Sequence, residues 1–197
     1  MKEKTITKTE TKKIIAAARR HLVHVRPCCY QVSWQQGQVY WTNSYFVIRI
    51  DMYTEQLLTE AGLARVDSTG RLQRTLEEIF AKHTQDVIPL DRANIMVDVG
   101  EGVSAWFYQP GAGVSVFINA EMLEDAATIA RVPVHELVLG INTDNAEYAK
   151  IMGGVYERPV SLLFGDAPVG LIMPRHQDYI QEITFTLERA AMSPERA

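Results

Sequence analysis

A chain of 197 residues, 47% hydrophobic and 22% charged, has enough apolar side chain for one packed core, which excludes the disordered and fibrous classes. Its net charge of −4 is split unevenly: residues 1–26 hold eight Lys/Arg against two Glu, so the rest of the chain carries −10. A basic beginning on an acidic body suits a polyanion partner met through one face only.

The opening stretch, "MKEKTITKTETKK", has no apolar core of the kind a signal peptide needs, and its glutamates argue against a transit peptide. Thr11 to Val23, "TKKIIAAARRHLV", follows as an amphipathic helix for which Thr9 or Thr11 is the expected cap. At about 100° per residue, Lys12, Lys13, Arg19 and Arg20 share an arc of about 120°, with Ile14, Ile15, Ala18 and Leu22 on the opposite side. Such a face can meet phosphates, although solvation alone also places Lys and Arg on an exposed helix. Cys28 and Cys29 are adjacent, with Cα atoms about 3.8 Å apart, too close for ordinary disulfide geometry, and read as reduced thiols of a cytoplasmic protein. With His21 and His24 they form a conceivable metal set, but strand alternation points neighbouring side chains to opposite faces, so no metal is expected.

Three strand signals come next: "CCYQVSW", "QVYWT" beyond the turn Gln36-Gly37, and "YFVIRIDM" beyond Asn43-Ser44. Their aromatics, Trp34, Tyr40, Trp41, Tyr45 and Phe46, suit core and sheet surface better than a base-stacking platform. Residues 54–62 and 71–84 read as helices, the second with Leu72, Leu76, Ile79 and Phe80 on one packing face. "ANIMVDV", "SAWFYQ" and "VSVFIN" are further strands. The longest uncharged run, Gly102–Ala120, contains the turn "YQPGAG", so no membrane span is expected.

Asn119 then caps a second helix, "AEMLEDAATIAR". Its expected buried stripe is Met122, Leu123, Ala126, Ile129 and Ala130, and its expected exposed stripe Glu121, Glu124, Asp125 and Thr128. "HELVLGINT", "PVSLLFG" and "VGLIMPR" follow as strands, with Gly153-Gly154 in an intervening loop, and the tail "EITFTLE" alternates like an edge strand. A helix and three short strands thus occur twice, which makes an α+β class with antiparallel sheets.

Enzyme signatures are missing: there is no G-x-x-x-x-G-K-[ST], no H-E-x-x-H, no C-x-x-C and no G-x-S-x-G. "GAG" at 111–113 precedes a strand rather than a helix, and Asp91, Asp98, Glu101 and Asp144 show no spacing for acid/base work. A non-enzymatic protein without a cofactor is the expectation.

Three passages carry a resemblance. "KIIAAARRHLVHVRPCCYQVSWQQGQVYWTNSYFVIRIDM", "GAGVSVFINAEMLEDAATIARVPVHELVLGINTD" and "PVSLLFGDAPVGLIMPRH" resemble the first helix with its strands, the second half and the closing hairpin of a DNA sliding-clamp domain. That is the family of the DNA polymerase III beta subunit and proliferating-cell nuclear antigen. The resemblance implies a single reduced clamp-like domain over residues 1–197, made of two helix-plus-three-strand repeats. A helical insertion at about 53–110 and an extension at about 177–197 depart from the family pattern. It also implies a replication role, non-specific duplex DNA contact through Lys12, Lys13, Arg19 and Arg20, and a replication-protein peptide bound at Leu171, Met173 and Pro174. The reduced size suits a phage or mobile element. The acidic second helix conflicts with a DNA-facing role and leaves open an assembly protein that uses the same fold for protein contacts only.

Overall fold

The computed structural model describes residues 7–20, 30–33, 38–43, 45–66, 70–90, 92–98, 104–108, 115–146 and 158–174. Helix α1 (Lys8–Arg20) begins earlier than Thr9 or Thr11 would allow. Thr7 caps it: its hydroxyl accepts the Glu10 N–H at 3.2 Å, while the Glu10 carboxylate accepts the Thr7 N–H at 2.9 Å. This reciprocal pair satisfies two amides that the first turn leaves without helical partners. The Thr11 hydroxyl instead shares a hydrogen bond of 2.9 Å with the Tyr53 hydroxyl.

Strands β1 (Tyr30–Ser33), β2 (Val39–Thr42) and β3 (Phe46–Ile50) pair antiparallel in succession. At the β2–β3 turn the Asn43 side-chain oxygen accepts the N–H groups of Tyr45 and Phe46, at 3.0 and 2.9 Å. Helix α2 (Met52–Glu60) is capped by Asp51, which accepts the Thr54 N–H at 2.8 Å. Then come β4 (Arg65–Val66), α3 (Arg71–His83), β5 (Val87–Leu90), β6 (Arg92–Asp98), β7 (Ser104–Tyr108) and β8 (Val116–Asn119). Asn119 caps α4 (Ala120–Ala130) by accepting the Met122 N–H at 3.0 Å, as its position in the sequence predicts. A single 3-10 turn (Val134–Glu136) leads into β9 (Leu137–Asn142), β10 (Val160–Phe164) and β11 (Ala167–Ile172).

Eight strands form one sheet in the order β4-β1-β2-β3-β11-β10-β9-β5, antiparallel throughout except for the short β1–β4 pair; β6, β7 and β8 form a second, antiparallel sheet. The first three strands run inward to the middle of the large sheet, and the last three run outward again in reverse order. β3 and β11 meet there, with Ile48 opposite Gly170, and the Met173 N–H extends the seam to the Tyr45 carbonyl at 2.8 Å. Gly170 is required at this seam: a Cβ would stand 2.5 Å from the Val47 carbonyl oxygen.

The two faces of the large sheet carry different cover. On one face Trp41, Ile48, Ile141 and Leu162 pack with Ile14 and Ala18 of α1 and with Leu123, Ala126 and Ile129 of α4. On the other, α3 lays Leu76 and Phe80 over Tyr40, Val47 and Leu171, with the Tyr40 and Phe80 rings edge to face at 5.2 Å. The Leu72–Phe80 spacing therefore did mark a packing helix, as expected. Tyr40, Trp41 and Phe46 are core residues, whereas Tyr45 is 46% exposed.

Among the described residues no helix is long and apolar enough to cross a membrane. His21, His24, Cys28, Cys29, Trp34, Asp91, Glu101, Gly153-Gly154, the "EITFTLE" tail and the extension from about 177 lie outside the described residues.

Candidate nucleic-acid interface

α1 and α4 lie side by side on the same sheet face and run antiparallel. The end of α1 meets the first half of α4 through Arg20 with Glu121 and Asp125, and the first half of α1 borders a cleft with the end of α4. Alanines at the contact, Ala17 and Ala18 on α1 and Ala126 and Ala127 on α4, are all buried and let the helices approach closely.

Lys12, Lys13, Arg19 and Arg20 are exposed, as is Lys8 one turn before them. Their chemistry divides them. The Arg20 Nε–H donates to Asp125 Oδ2 at 3.0 Å, a second guanidinium N–H donates to Asp125 Oδ1, and Nε lies 3.4 Å from Glu121 Oε1. The hydrogen bond to Asp125 holds the Arg20 pKa above its ordinary value, with the charges of Asp125, Glu121 and Glu124 adding and partial burial opposing. Arg20 is therefore committed to the helix–helix contact. Lys12, Lys13 and Arg19 remain on the outer surface of α1.

Asp125 corrects the sequence reading. It was expected on the exposed stripe of α4, but it is completely buried. Periodicity locates the stripe that faces the sheet; it does not register that a second helix covers the flank beside that stripe. The charge that was to repel phosphates is withdrawn into a forked pair with Arg20, a geometry that guanidinium and carboxylate favour. Glu121 sits against the same arginine, and Glu124 keeps its exposed place. The pairing thus withdraws one cation and one anion together, and the net charge of the two-helix face is unchanged.

The second candidate set is split between surface and interior. Leu171 is buried beneath α3, so a partner reaches it only by displacing that helix. Met173 is 38% exposed and is joined through its backbone to Tyr45, and Pro174 is half-buried. α3 comes from the segment at about 53–110, and nothing in the apolar pattern of β11 reveals that this segment returns to cover it.

Known protein families, curated proteins and solved structures offer no match to this chain. The functional argument therefore rests on geometry and charge.

Among the described residues no group of His, Cys, Asp and Glu is placed to hold a metal ion. The buried polar cluster under α3 is small. The Ser161 hydroxyl donates to the His83 carbonyl at 2.6 Å, and the Asn145 side-chain nitrogen lies 3.3 Å from His83 Nδ1. Burial, with help from Lys82 and Arg158, pushes the His83 pKa below its ordinary value. Because Ser161 is spent on a backbone carbonyl, this pair is not arranged as a nucleophile and its base.

Proposed function

We propose that the protein is a non-enzymatic, clamp-like module that binds the backbone of duplex DNA through the outer surface of α1. The observation that carries this reading is the exposure of Lys12, Lys13 and Arg19 together on the outer surface of α1, beside a buried Asp125 paired with Arg20 so that their two charges cancel. Support for a clamp-like arrangement comes from three facts that one local two-fold axis would relate. The strands of the two units run in mirrored order, their third strands pair antiparallel, and their helices are antiparallel neighbours on one face.

The interaction is electrostatic. None of the described helices offers a row of side chains suited to reading base edges, so binding is non-specific, with Kd of about 10⁻⁴ to 10⁻⁶ M at physiological salt. Contact through Lys12, Lys13 and Arg19 gives a log–log salt slope of about −3 on duplex DNA. Fluorescence anisotropy with a labelled duplex tests this directly. The double variant Lys12→Glu/Arg19→Glu abolishes binding while its melting temperature stays near that of the parent. Unchanged binding by that variant refutes the role assigned to the helix face.

The second reading is that the same fold serves protein contacts only. It is favoured by the exposed pair Tyr45 and Met173 at the end of the β3–β11 seam, where an apolar peptide side chain would find cover. No duplex binding at about 20 mM salt, where counterion release favours association most, selects this reading over the first.

A further inference from the structure

Helix α3 is fastened to the sheet unevenly along its length. Gly70 opens it in the left-handed region, φ 65°, and has no side chain with which to cap it. Its buried side chains begin only at Leu76 and continue with Phe80 and His83. The far end is held by main chain as well. The Ser161 hydroxyl, fully buried, donates to the His83 carbonyl at 2.6 Å. The turn that follows is tied to the end of β9: the Asn142 side-chain N–H donates to the Gln85 carbonyl at 2.9 Å, and the Thr143 N–H and hydroxyl donate to the Asp86 carbonyl at 3.0 and 2.7 Å.

At this fastening point the His83 ring is buried, 6% exposed. Its Nδ1 lies 3.3 Å from the Asn145 side-chain nitrogen, which only donates, so the ring that meets it is neutral with Nδ1 as acceptor. Two cations bear on the ring, Lys82 of α3 and Arg158 ahead of β10. Asp86 and Asp144 in the neighbouring segments are exposed, and no described carboxylate offsets the two cations. Turning the Asn145 amide over would offer the ring an oxygen, yet a protonated ring would still be buried beside two like charges. Beneath the helix runs an apolar strip. Strand alternation puts Tyr45 and Val47 on the face that carries Leu171 and Met173; Val47 is paired with Leu171, and the Met173 N–H continues the pairing to the Tyr45 carbonyl. α3 covers Tyr40, Val47 and Leu171 and leaves Tyr45 and Met173 exposed.

We propose that His83 is a proton-operated latch: taking up a proton frees α3 from the sheet and uncovers Tyr40, Val47 and Leu171, which join Tyr45 and Met173 in one apolar strip. The closed form holds a neutral ring, whereas an open α3 returns the ring to water and to the ordinary value of 6.5. Protonation of the open form therefore favours opening by up to about thirtyfold between about pH 7.5 and 5. The main core takes no part, because Ile14, Ala18, Leu123 and Ile129 pack on the other face of the sheet. The inference does not depend on DNA binding by α1.

Amide hydrogen exchange of the full chain tests this at about pH 7.5 and about pH 5, read as protection factors so that the intrinsic pH dependence of exchange is removed. At the higher pH the amides of Phe80 and His83 are less protected than those of Ile48 and Ile129, because α3 opens without the main core. At the lower pH their protection falls by about thirtyfold. His83→Gln abolishes that fall. Asn145→Asp gives the protonated ring a carboxylate partner in the closed form and diminishes it. Ser161→Ala lowers α3 protection by the same factor at both pH values, which separates fastening from sensing. Equal protection of α3 and the main core at the higher pH, α3 protection that does not change with pH, or a pH response that survives His83→Gln or is undiminished in Asn145→Asp each overturns the inference.

Discussion

The two faces of the eight-stranded sheet make the same kind of contact, helix on sheet, yet they differ in depth and in what they leave outside. On the α1–α4 face two helices and a broad set of buried aliphatics form the main core, and a row of cations remains on the outer surface. On the α3 face a single helix contributes Leu76 and Phe80 to a small cluster, helped by the Ser161–His83 hydrogen bond. The first face combines most of the stability with the candidate site, so its surface charges can change without touching the core. The second closes over β-strand residues that would otherwise be open to a partner.

Neighbouring residues on β3 sharpen this contrast. Ile48 is fully buried toward α1 and α4, and Val47 points into the α3 cluster. Ile48→Ala costs about 3–4 kcal/mol by loss of burial and by the cavity left behind. Val47→Ala costs only about 1–2 kcal/mol. Chemical denaturation of the two variants measures the difference, and equal losses would mean that the α3 cluster is as deep as the main core.

Arg20→Ala is the next largest effect. It leaves Asp125 buried without its guanidinium partner, and because Arg20 is about half exposed the loss falls below that of a fully buried pair, at about 2–3 kcal/mol. Replacing both residues, Arg20→Met with Asp125→Leu, recovers most of it. If the single variant were as stable as the parent, the pair would not be holding the two helices together.

A smaller, pH-dependent effect belongs to the α3 face. The His83 pKa is lowered by burial first and by Lys82 and Arg158 after it, so the folded state prefers the neutral ring. Stability from this group is complete above the ordinary value of 6.5. As pH falls below that value the unfolded chain takes up the proton first, and stability declines until the folded pKa is passed. His83→Asn flattens that decline relative to the parent in melting curves taken between about pH 7.5 and 5.

The sequence made some of this legible and left some of it hidden for physical reasons. Both long amphipathic helices of the main core, the α3 stripe and most strands follow from apolar period and turn residues. The start of α1 is written in Thr7-Lys8-Thr9-Glu10, a capping-box spacing that Thr9 and Thr11, equally good cap residues by type, mask in the sequence. β5 breaks its own pattern with Pro89. That residue is tolerated because β5 lies at the sheet edge, where Pro89 faces Gly140, and the Val87 side chain occupies the space a Gly140 Cβ would need. The burial of Asp125 and the covering of Leu171 depend on elements far away in the chain. Local periodicity carries no record of either. At the candidate site, therefore, the cations were found from spacing, while the carboxylate that neutralises one of them appears only once α1 and α4 are packed.

The most direct measurement is a map of backbone amide shifts on addition of duplex DNA at about 20 mM salt, low enough for phosphate contacts to persist. The shifts are expected along α1 around Lys12, Lys13 and Arg19, and they fade as salt is raised to about 150 mM. Shifts centred on α3 or on Tyr45 and Met173, or none at all, would contradict the assignment of the outer surface of α1 to a nucleic-acid backbone.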